Sequence, residues 1–413
     1  MMHNRLAILF LSASLITACT SIDDSNDLND ANLSSQSTDE QKSIVQIDSS
    51  NKTSSDTVKT ATDKVTSEKK TKAADAVALA AQQDWQWPTE SEEALKPHTT
   101  SDNLDLTRPL IQSFIDKLVT QHNFEREYLI QALRSANNKP RILEIMSRPA
   151  EKSKEWYEYR EIFLTPKRIE RGQQFLSEHY TALSAAEKKY GVPKEIITAI
   201  IGVETHYGRI TGKYKVIDAL VTLGFNYPPR AQFFRRELEQ FFLLSREEGF
   251  DPLSVLGSYA GAMGNAQFIS SSYRNFTADG DGDGKRDLWN SWPDAIHSVA
   301  NYFYLHDWQK EQPVFALAKS LNECSQLDSV NIPESKVSLE TFTIQSIKQH
   351  PCQFNFEADQ DYASPAMYIN MKYADYAEHL IGFSNFYTIT RYNRSPKYAR
   401  AVYELSQAYN ANQ

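Results

Sequence analysis

Apolar residues recur at helical spacing in several stretches of the chain beyond residue 100. In the first stretch, Thr107 is the predicted N-terminal cap and Pro109 lies in the first turn. The apolar residues that share one face there are Leu110, Ile111, Phe114, Ile115 and Leu118. Further helices are predicted at about 168–189, 193–207, 294–304 and 398–409, so the body of the protein is mainly α.

Residues 316–372 follow a different pattern, with short runs that alternate between apolar and polar positions. The apolar positions of these runs are Val330, Ile332, Val337, Leu339, Phe342 and Ile344. A period of two is typical of strands. We therefore predict a small β subdomain inserted in the helical body, which makes the chain a member of the α+β class.

Composition separates a polar tail from this body. Residues 20–73 hold 19 Ser or Thr among 54 positions and no Gly, Pro or aromatic residue. Such a segment buries too little apolar surface to offset its conformational entropy, so we predict a disordered tether that extends over 19–98. The 413 residues include 44 Lys or Arg and 53 Asp or Glu, a net charge of −9. An acidic chain argues against nucleic acid as a partner.

The first residues are typical of an exported lipoprotein. Arg5 precedes a short apolar run, Leu6 to Leu11, and residues 1–18 are the predicted signal peptide. The ending Ile16-Thr17-Ala18-Cys19 resembles a bacterial lipobox, in which acyl chains on Cys19 anchor the protein to a membrane. Thr20, by resemblance to enterobacterial sorting, favours the periplasmic face of the outer membrane. An ordinary cleaved signal with an incidental cysteine is the alternative.

Two cysteines remain, Cys324 and Cys352. In an oxidising periplasm such a pair predicts a disulfide, and two free buried thiols are the alternative. Closing the loop between them would stabilise the fold by about 3 kcal/mol in the chain-entropy model.

Glu204 is the candidate catalytic group. It follows Ile197 by seven residues and Ile200 by four, so it lies on the apolar face of the helix predicted from Pro193. Burial and the negative end of the helix dipole both disfavour its carboxylate, so its pKa is expected to be raised. A carboxyl that keeps its proton near neutral pH is suited to general acid catalysis. The alternative is a side chain that reaches solvent or pairs with Arg209.

Four motifs occur in the order that is found in one family of enzymes. They are Trp156–Arg160 (WYEYR), Ile201–Gly208 (IGVETHYG), Gly257–Gly264 (GSYAGAMG) with Gln267-Phe268, and Asn385–Asn393 (NFYTITRYN). Together they resemble the family of membrane-bound lytic murein transglycosylase B. The resemblance covers most of residues 105–409 and is weak over 310–372.

The resemblance implies a lysozyme-like helical fold and a carbon–oxygen lyase that acts on peptidoglycan glycan strands. Such enzymes cleave the β-1,4 bond between N-acetylmuramic acid and N-acetylglucosamine and leave a 1,6-anhydro end. The muramoyl 6-hydroxyl is the nucleophile, so one Glu acts first as acid and then as base, whereas ordinary glycosidases need a second carboxylate. Asp218, Glu237 and Glu239 are carboxylates that the fold could still bring close to Glu204.

On this resemblance the chain divides into an N-terminal helical domain (99–190), a lysozyme-like core (191–315), the β subdomain (316–372) and a C-terminal segment that returns to the groove and core (373–413). Ser258 and Gln267 match polar residues that hold sugar groups beside Glu204. Other residues match groove positions, although core packing is the alternative for any one tyrosine: Tyr159, Tyr302, Tyr392, Asn393 and Tyr398. Arg230 matches one of a pair of arginines that could meet the peptide stem, but its neighbour is Pro229. Asn265-Ala266 also departs from the family pattern.

An acidic loop predicts one structural Ca²⁺. Counted from Asp279, carboxylates fall at positions 1, 3, 5 and 9 of a calcium-binding loop, Gly284 is at position 6, and Lys285 at position 7 would bind through its backbone carbonyl. Position 12 is Asn290, and by resemblance to the family Asp294 supplies the missing carboxylate. The predicted ligands are thus Asp279, Asp281, Asp283, Lys285, Asp287 and Asp294. A solvated acidic turn is the alternative.

Two other functions are compatible with this sequence. One is a muramidase in which water attacks, so that the product is heavier by one water. The other is a catalytically silent peptidoglycan-binding lipoprotein, which would have no need for an acid at the end of an apolar helix. A calcium sensor is a poor fit because a second hand is missing.

Overall fold

Helices build the body of the protein. The computed structural model describes residues 85, 87–88, 103–147, 154–320, 342–349, 354–357, 364–373 and 375–411. Within these ranges it has fourteen α-helices, and a 3₁₀ turn at Pro228–Arg230. The helices are α1 Pro109–His122, α2 Arg126–Ser135, α3 Pro140–Ser147, α4 Trp156–Phe163, α5 Pro166–Glu178, α6 Tyr180–Tyr190, α7 Lys194–Thr205, α8 Val216–Asn226, α9 Ala231–Glu248, α10 Ser270–Phe276, α11 Trp292–Leu305, α12 Ile344–Lys348, α13 Ser384–Tyr392 and α14 Pro396–Ala408.

Local chemistry explains where the helices begin and end, and it corrects two predictions. Residue Arg108, not Thr107, occupies the cap position of α1, because the Thr107 amide and hydroxyl both donate to Asp105 Oδ1. The stretch predicted at 168–189 is two helices, since the backbone leaves the helical conformation at His179. Gly191 ends α6 in the left-handed conformation that glycine favours.

Helix α7 lies at the centre of the core. Every residue from Ile196 to Thr205 is buried, and α7 packs against α5, α6, α11 and α14. A helix that is buried on all sides in this way depends on the packing of the surrounding protein. Elsewhere α8 packs along α9, and α6 packs along α11.

A five-stranded antiparallel sheet forms the β part. The chain first makes a short antiparallel pair, β1 (Tyr214–Lys215) with β2 (Leu256–Gly257). The larger sheet has the order β4-β6-β7-β3-β5 and a small core of its own. Its strands are β3 Phe315–Ser320, β4 Phe342–Thr343, β5 Phe354–Asn355, β6 Pro365–Lys372 and β7 Ala377–Gly382.

The sheet departs from the predicted β subdomain in two respects. Strand β7 pairs with both β6 and β3, so the predicted end at residue 372 is too early. Ile344 begins α12 and is not in a strand, because the Thr343 hydroxyl caps a helix there. The predicted strand positions Val330, Ile332, Val337 and Leu339 lie outside the described residues.

The predicted tether ends earlier than residue 98. Trp85 Nε1 donates to Ser113 Oγ at 3.0 Å, and the Trp87 ring lies 6.5 Å from the Phe114 ring. Two large aromatic side chains bury enough surface to hold this segment on α1. The predicted lipidation site Cys19, the disulfide of Cys324 with Cys352 and the segment 20–73 lie outside the described residues. In the ranges that are described, no helix has the length and apolar character to cross a membrane.

Candidate active site

Glu204 lies in the last turn of α7 and is buried. Only 6% of its surface is exposed, which rules out the alternative of a side chain that reaches solvent. Arg209, its alternative partner, is an exposed residue. After Glu204 the chain turns sharply, since His206 and Tyr207 both take left-handed backbone angles (φ 53° and 59°). Such conformations are uncommon for residues with large side chains and often occur beside functional sites.

A tyrosine from the far end of the chain contacts Glu204. The Tyr398 hydroxyl, from the first turn of α14, donates to Glu204 Oε1 at 2.6 Å. Burial and the charge of Glu204 raise the pKa values of Tyr398 and Tyr392 well above the ordinary value for tyrosine. Both hydroxyls are therefore hydrogen-bond donors at physiological pH. Tyr159, on α4, also interacts with Tyr398.

The loop between β2 and α10 forms a second wall of the site. Ser258 Oγ accepts hydrogen bonds from the amides of Ala260 and Ala262. Gln267 has a left-handed backbone (φ 52°), and its Nε2 donates to the carbonyls of Thr211 and Gly264. Both side chains are buried and hold the loop in shape.

Of the remaining predicted groove residues, Tyr392 contacts the loop of the site, and Tyr302 and Asn393 pack behind the residues that form it. The Tyr392 hydroxyl donates to the Ala266 carbonyl at 2.6 Å, which joins α13 to the loop. The Tyr302 hydroxyl donates to the Arg391 carbonyl, and its ring lies 4.8 Å from that of Tyr392. Tyr302 therefore packs behind Tyr392. Asn393 is fully buried and accepts from the Ser395 amide, at the start of the helix that carries Tyr398.

Arg230 lies at the start of α9. It ends the 3₁₀ turn before α9, and its guanidinium lies over the rings of Phe233 and Phe234, at 4.3 and 5.3 Å. These contacts hold its side chain on α9, and its predicted role toward the peptide stem stays a prediction.

One pair of site residues was missed by the sequence analysis. Thr205 Oγ1 lies 3.2 Å from the Asn265 carbonyl and accepts from the Gly208 amide. Asn265 Nδ2 in turn donates to the Trp289 carbonyl. Asn265 thus joins the residue next to Glu204 to the end of the acidic loop. The only signal in the sequence was that Asn265 departs from the family pattern.

The three further carboxylates that were considered are held by other groups. Asp218 accepts from the Asn137 amide, and Glu237 accepts from the amide and hydroxyl of Ser271. Glu239 pairs with Lys117 at 2.6 Å and with His122 at 2.7 Å. Each is buried among these partners. Within the described residues, none of these contacts brings a second carboxylate to Glu204.

Comparison with known proteins agrees with this geometry. A family model described as the transglycosylase SLT domain matches residues 107–407. The chain belongs to this family. It is 39% identical over 312 residues to membrane-bound lytic murein transglycosylase B of Escherichia coli K12. The alignment covers 73% of this chain and 82% of that protein.

Solved structures of transglycosylases share the fold. The crystal structure of the catenated lytic transglycosylase SltB1 from Pseudomonas aeruginosa aligns with a TM-score of 0.69 and 42% identity, and covers 74% of this chain and 98% of that chain. The Escherichia coli lytic transglycosylase Slt35 in complex with calcium aligns with a TM-score of 0.66 and 37% identity, with coverage of 77% and 98%. The expected lysozyme-like, mainly helical class is therefore confirmed.

The acidic loop of this transglycosylase domain gathers three of the predicted ligands. Carboxylate oxygens of Asp279, Asp281 and Asp294 all lie within 4.8 Å of one another. Calcium binds oxygen at about 2.3–2.6 Å, so one ion fits among these three groups. Asp283 accepts from the Lys285 amide and lies outside the group.

Backbone amides shape this loop around its carboxylates. The hydrogen bond from the Gly284 amide contributes most to a lowered pKa of Asp279. Burial raises the pKa of Asp294, although it accepts from the amides of Gly280 and Asp287. Asp287 is turned towards the amides of residues 289 and 290, so its carboxylate caps that turn.

Proposed function

We propose that this chain is a lytic transglycosylase that cleaves peptidoglycan glycan strands, with Glu204 as its catalytic acid and base. The observation that carries the proposal is one buried carboxyl at a helix end, hydrogen-bonded by Tyr398. Burial and the helix terminus both disfavour the charged form, so the group can hold a proton for the leaving oxygen.

The reaction needs this one group only. Glu204 gives its proton to the glycosidic oxygen, and the bond from that oxygen to C1 of the muramoyl residue breaks. The muramoyl 6-hydroxyl then attacks C1, and its proton passes to the Glu204 carboxylate. The acid is regenerated and a 1,6-anhydro ring is formed. The Tyr398 hydroxyl stabilises the carboxylate between the two steps, because a donor to a charged acceptor strengthens when the charge appears.

Product mass and one substitution test this proposal. Wild-type protein should release muropeptides that are lighter by one water than the products of hydrolysis. Glu204→Gln keeps the size of the side chain but cannot act as an acid, so the rate should fall by about 100-fold or more. Glu195→Gln, the same change in the first turn of α7, is the matched control and should be active. Products that contain the added water would identify a muramidase instead.

We further infer that Asp279, Asp281 and Asp294 hold one structural Ca²⁺. An ion there would fix the start of α11, because Asp294 lies in its first turn. It would also steady the loop end that Asn265 joins to Thr205. Calcium would supply structural clamping, with no part in the chemical steps.

Calcium binding can be measured by its effect on thermal stability. At a hundredfold excess over Kd, an ion that binds only the native state adds about 2.7 kcal/mol, a rise of roughly 5 °C or more in Tm. Asp294→Asn should abolish that rise, whereas Asp251→Asn, an exposed loop carboxylate elsewhere, should keep it. A wild-type Tm that is unchanged by millimolar Ca²⁺ would exclude the site.

A lipid anchor on Cys19 is the proposed attachment to the outer membrane. The Escherichia coli relative is named as membrane-bound, and the lipobox-like ending supports the same arrangement here. Labelling with a palmitate analogue should mark the wild-type chain and not Cys19→Ser. An unlabelled wild-type chain would favour the ordinary cleaved signal.

A further inference from the structure

Helix α14, which carries Tyr398, is held from two sides. Tyr398 lies against α7, where its hydroxyl donates to Glu204 Oε1 at 2.6 Å. Arg400 follows Tyr398 by two residues, a rotation of about 200° around the helix. Its buried side chain contacts α4 and strand β7. Helix α14 therefore lies between the proposed acid on one side and the β sheet with α4 on the other.

Arg400 contacts three elements of the fold. Its Nε donates to Glu404 Oε1 at 2.7 Å, one turn further along α14. Its Nη2 donates to the carboxylate of Glu378 in β7. Its guanidinium lies over the Trp156 ring of α4, 4.6 Å from the ring centre. We call Arg400, Glu378 and Glu404 the α14 clamp.

The α14 clamp is braced by α4 and is largely removed from solvent. Arg160 Nε, on α4, donates to Glu404 Oε2 at 2.7 Å. The side chains of Arg400, Glu378 and Glu404 are 5%, 28% and 19% exposed. Ion pairs and hydrogen bonds are stronger where water is excluded. A planar guanidinium also fixes the directions of both carboxylates, which the point charge of an ammonium cannot do.

The contact between Tyr398 and Glu204 depends on where α14 lies. Apolar packing against α7 is non-directional, so it does not by itself set the position of the helix along α7. A misplacement of about 1 Å at an active site can cost roughly 100-fold in rate. The α14 clamp supplies directional contacts on the opposite face of the same helix, two residues from Tyr398.

We propose that Arg400 is a positioning residue, which keeps the Tyr398 hydroxyl on Glu204 by clamping α14 to β7. The inference rests on the proposed function, because it acts through the group that stabilises the Glu204 carboxylate. It gives the β sheet a part in catalysis, since Glu378 lies in β7 and is one half of the ion pair.

A double-mutant cycle with Tyr398→Phe tests the proposal. Arg400→Lys keeps the charge but not the fork that holds two carboxylates. In the full chain it should lower the rate of anhydro-product release about 10-fold, and by no more than Tyr398→Phe itself does. The alkaline fall in activity should move to higher pH, because Glu204 loses a donor to its carboxylate. In the Tyr398→Phe chain, Arg400→Lys should cost nothing further, since the hydroxyl that it positions is already absent.

Glu378→Gln makes the same test from the side of the sheet. It keeps the size of the side chain and removes its charge, so it should show a smaller loss in the wild-type chain and none in the Tyr398→Phe chain. This comparison decides the matter if Arg400→Lys does not fold. Arg126→Lys is the matched control, the same substitution in an exposed ion pair with Asp116. It should keep the wild-type rate and pH profile.

The outcomes separate this inference from the proposed function. Clamp variants that lose the same factor with and without the Tyr398 hydroxyl, or that leave the pH profile unmoved, would show that the α14 clamp only stabilises the fold. Full activity of both clamp variants would overturn the inference as well. In each case the transglycosylase proposal stands, provided that the wild-type chain releases anhydro product. A wild-type chain that releases none would overturn both.

Discussion

Replacing Tyr398 by phenylalanine should slow catalysis and leave the fold intact. Tyr398 is fully buried, and its hydroxyl donates to Glu204 Oε1 at 2.6 Å. The substitution removes that hydroxyl and keeps the ring, so the packing against α7 is retained. Its effect on activity therefore reports on the hydrogen bond to Glu204.

The size of the effect follows from the charge on the acceptor. A hydrogen bond to a charged group contributes about 1.5–3 kcal/mol, and each 1.36 kcal/mol of barrier changes a rate tenfold. If the bond is made fully when Glu204 is charged, kcat/KM should fall roughly 10- to 150-fold. The hydroxyl favours the carboxylate, so without it Glu204 keeps its proton to higher pH. The alkaline fall in activity should therefore move to higher pH.

The assay is the rate of anhydro-muropeptide release across a pH series, together with thermal unfolding. Tyr403→Phe is the matched control, since Tyr403 is on the same helix and its ring faces Phe315. It should keep the wild-type rate and pH profile. Full activity of Tyr398→Phe with an unchanged profile would refute a role for the hydroxyl in stabilising the Glu204 carboxylate.

Two further predictions concern stability and loop shape. Glu239→Gln should destabilise the fold by about 3–5 kcal/mol in thermal unfolding, because Lys117 and His122 then stay buried without their acidic partner. The exposed change Glu144→Gln is the control and should leave the stability unchanged. Burial raises the pKa of Glu239, but hydrogen bonds from His122 and Lys117 lower it further, so the net shift is downward. The contribution of Glu239 to the free energy of unfolding is therefore present at neutral pH and is lost as the pH falls through that lowered pKa. A stability that rises on acidification would contradict this. Gly212→Ala should reduce activity, since a Cβ would lie 2.0 Å from the Gly257 carbonyl, next to the loop that carries the site. Gly249→Ala, also at a positive φ but with open space, should be active, and equal activities of the two variants would contradict the steric argument.

Periodicity was sufficient to find Glu204 but not its partner. The helical repeat placed Glu204 on the buried face of α7, as the structure has it. Tyr398 was assigned to the groove by resemblance, and its hydrogen bond spans 194 positions of the chain. Contacts at that separation depend on how helices pack, which no local repeat encodes.

Short-range chemistry predicted the acidic loop in part. Asp279 and Asp281 are close because a tight turn brings them together, and Asp294 joins them from the next helix. Asp287 was assigned from its position in a regular calcium-binding loop, but its carboxylate accepts the amides that follow it. Spacing gives the order of ligands along a loop, whereas competing backbone donors decide where each carboxylate points.

The contact between α7 and α14 also makes the order of assembly matter. Glu204, the proposed proton donor, comes from the middle of the chain, and the hydroxyl that contacts it comes from the last helix that the structure describes. A chain that emerges N-terminus first has Glu204 long before Tyr398 exists. The complete site therefore forms only after α14 has docked, which ties enzymatic activity to a finished fold. Chains in which α14 has not docked would then lack the support of the Tyr398 hydroxyl, and full activity would report that this last helix is in place.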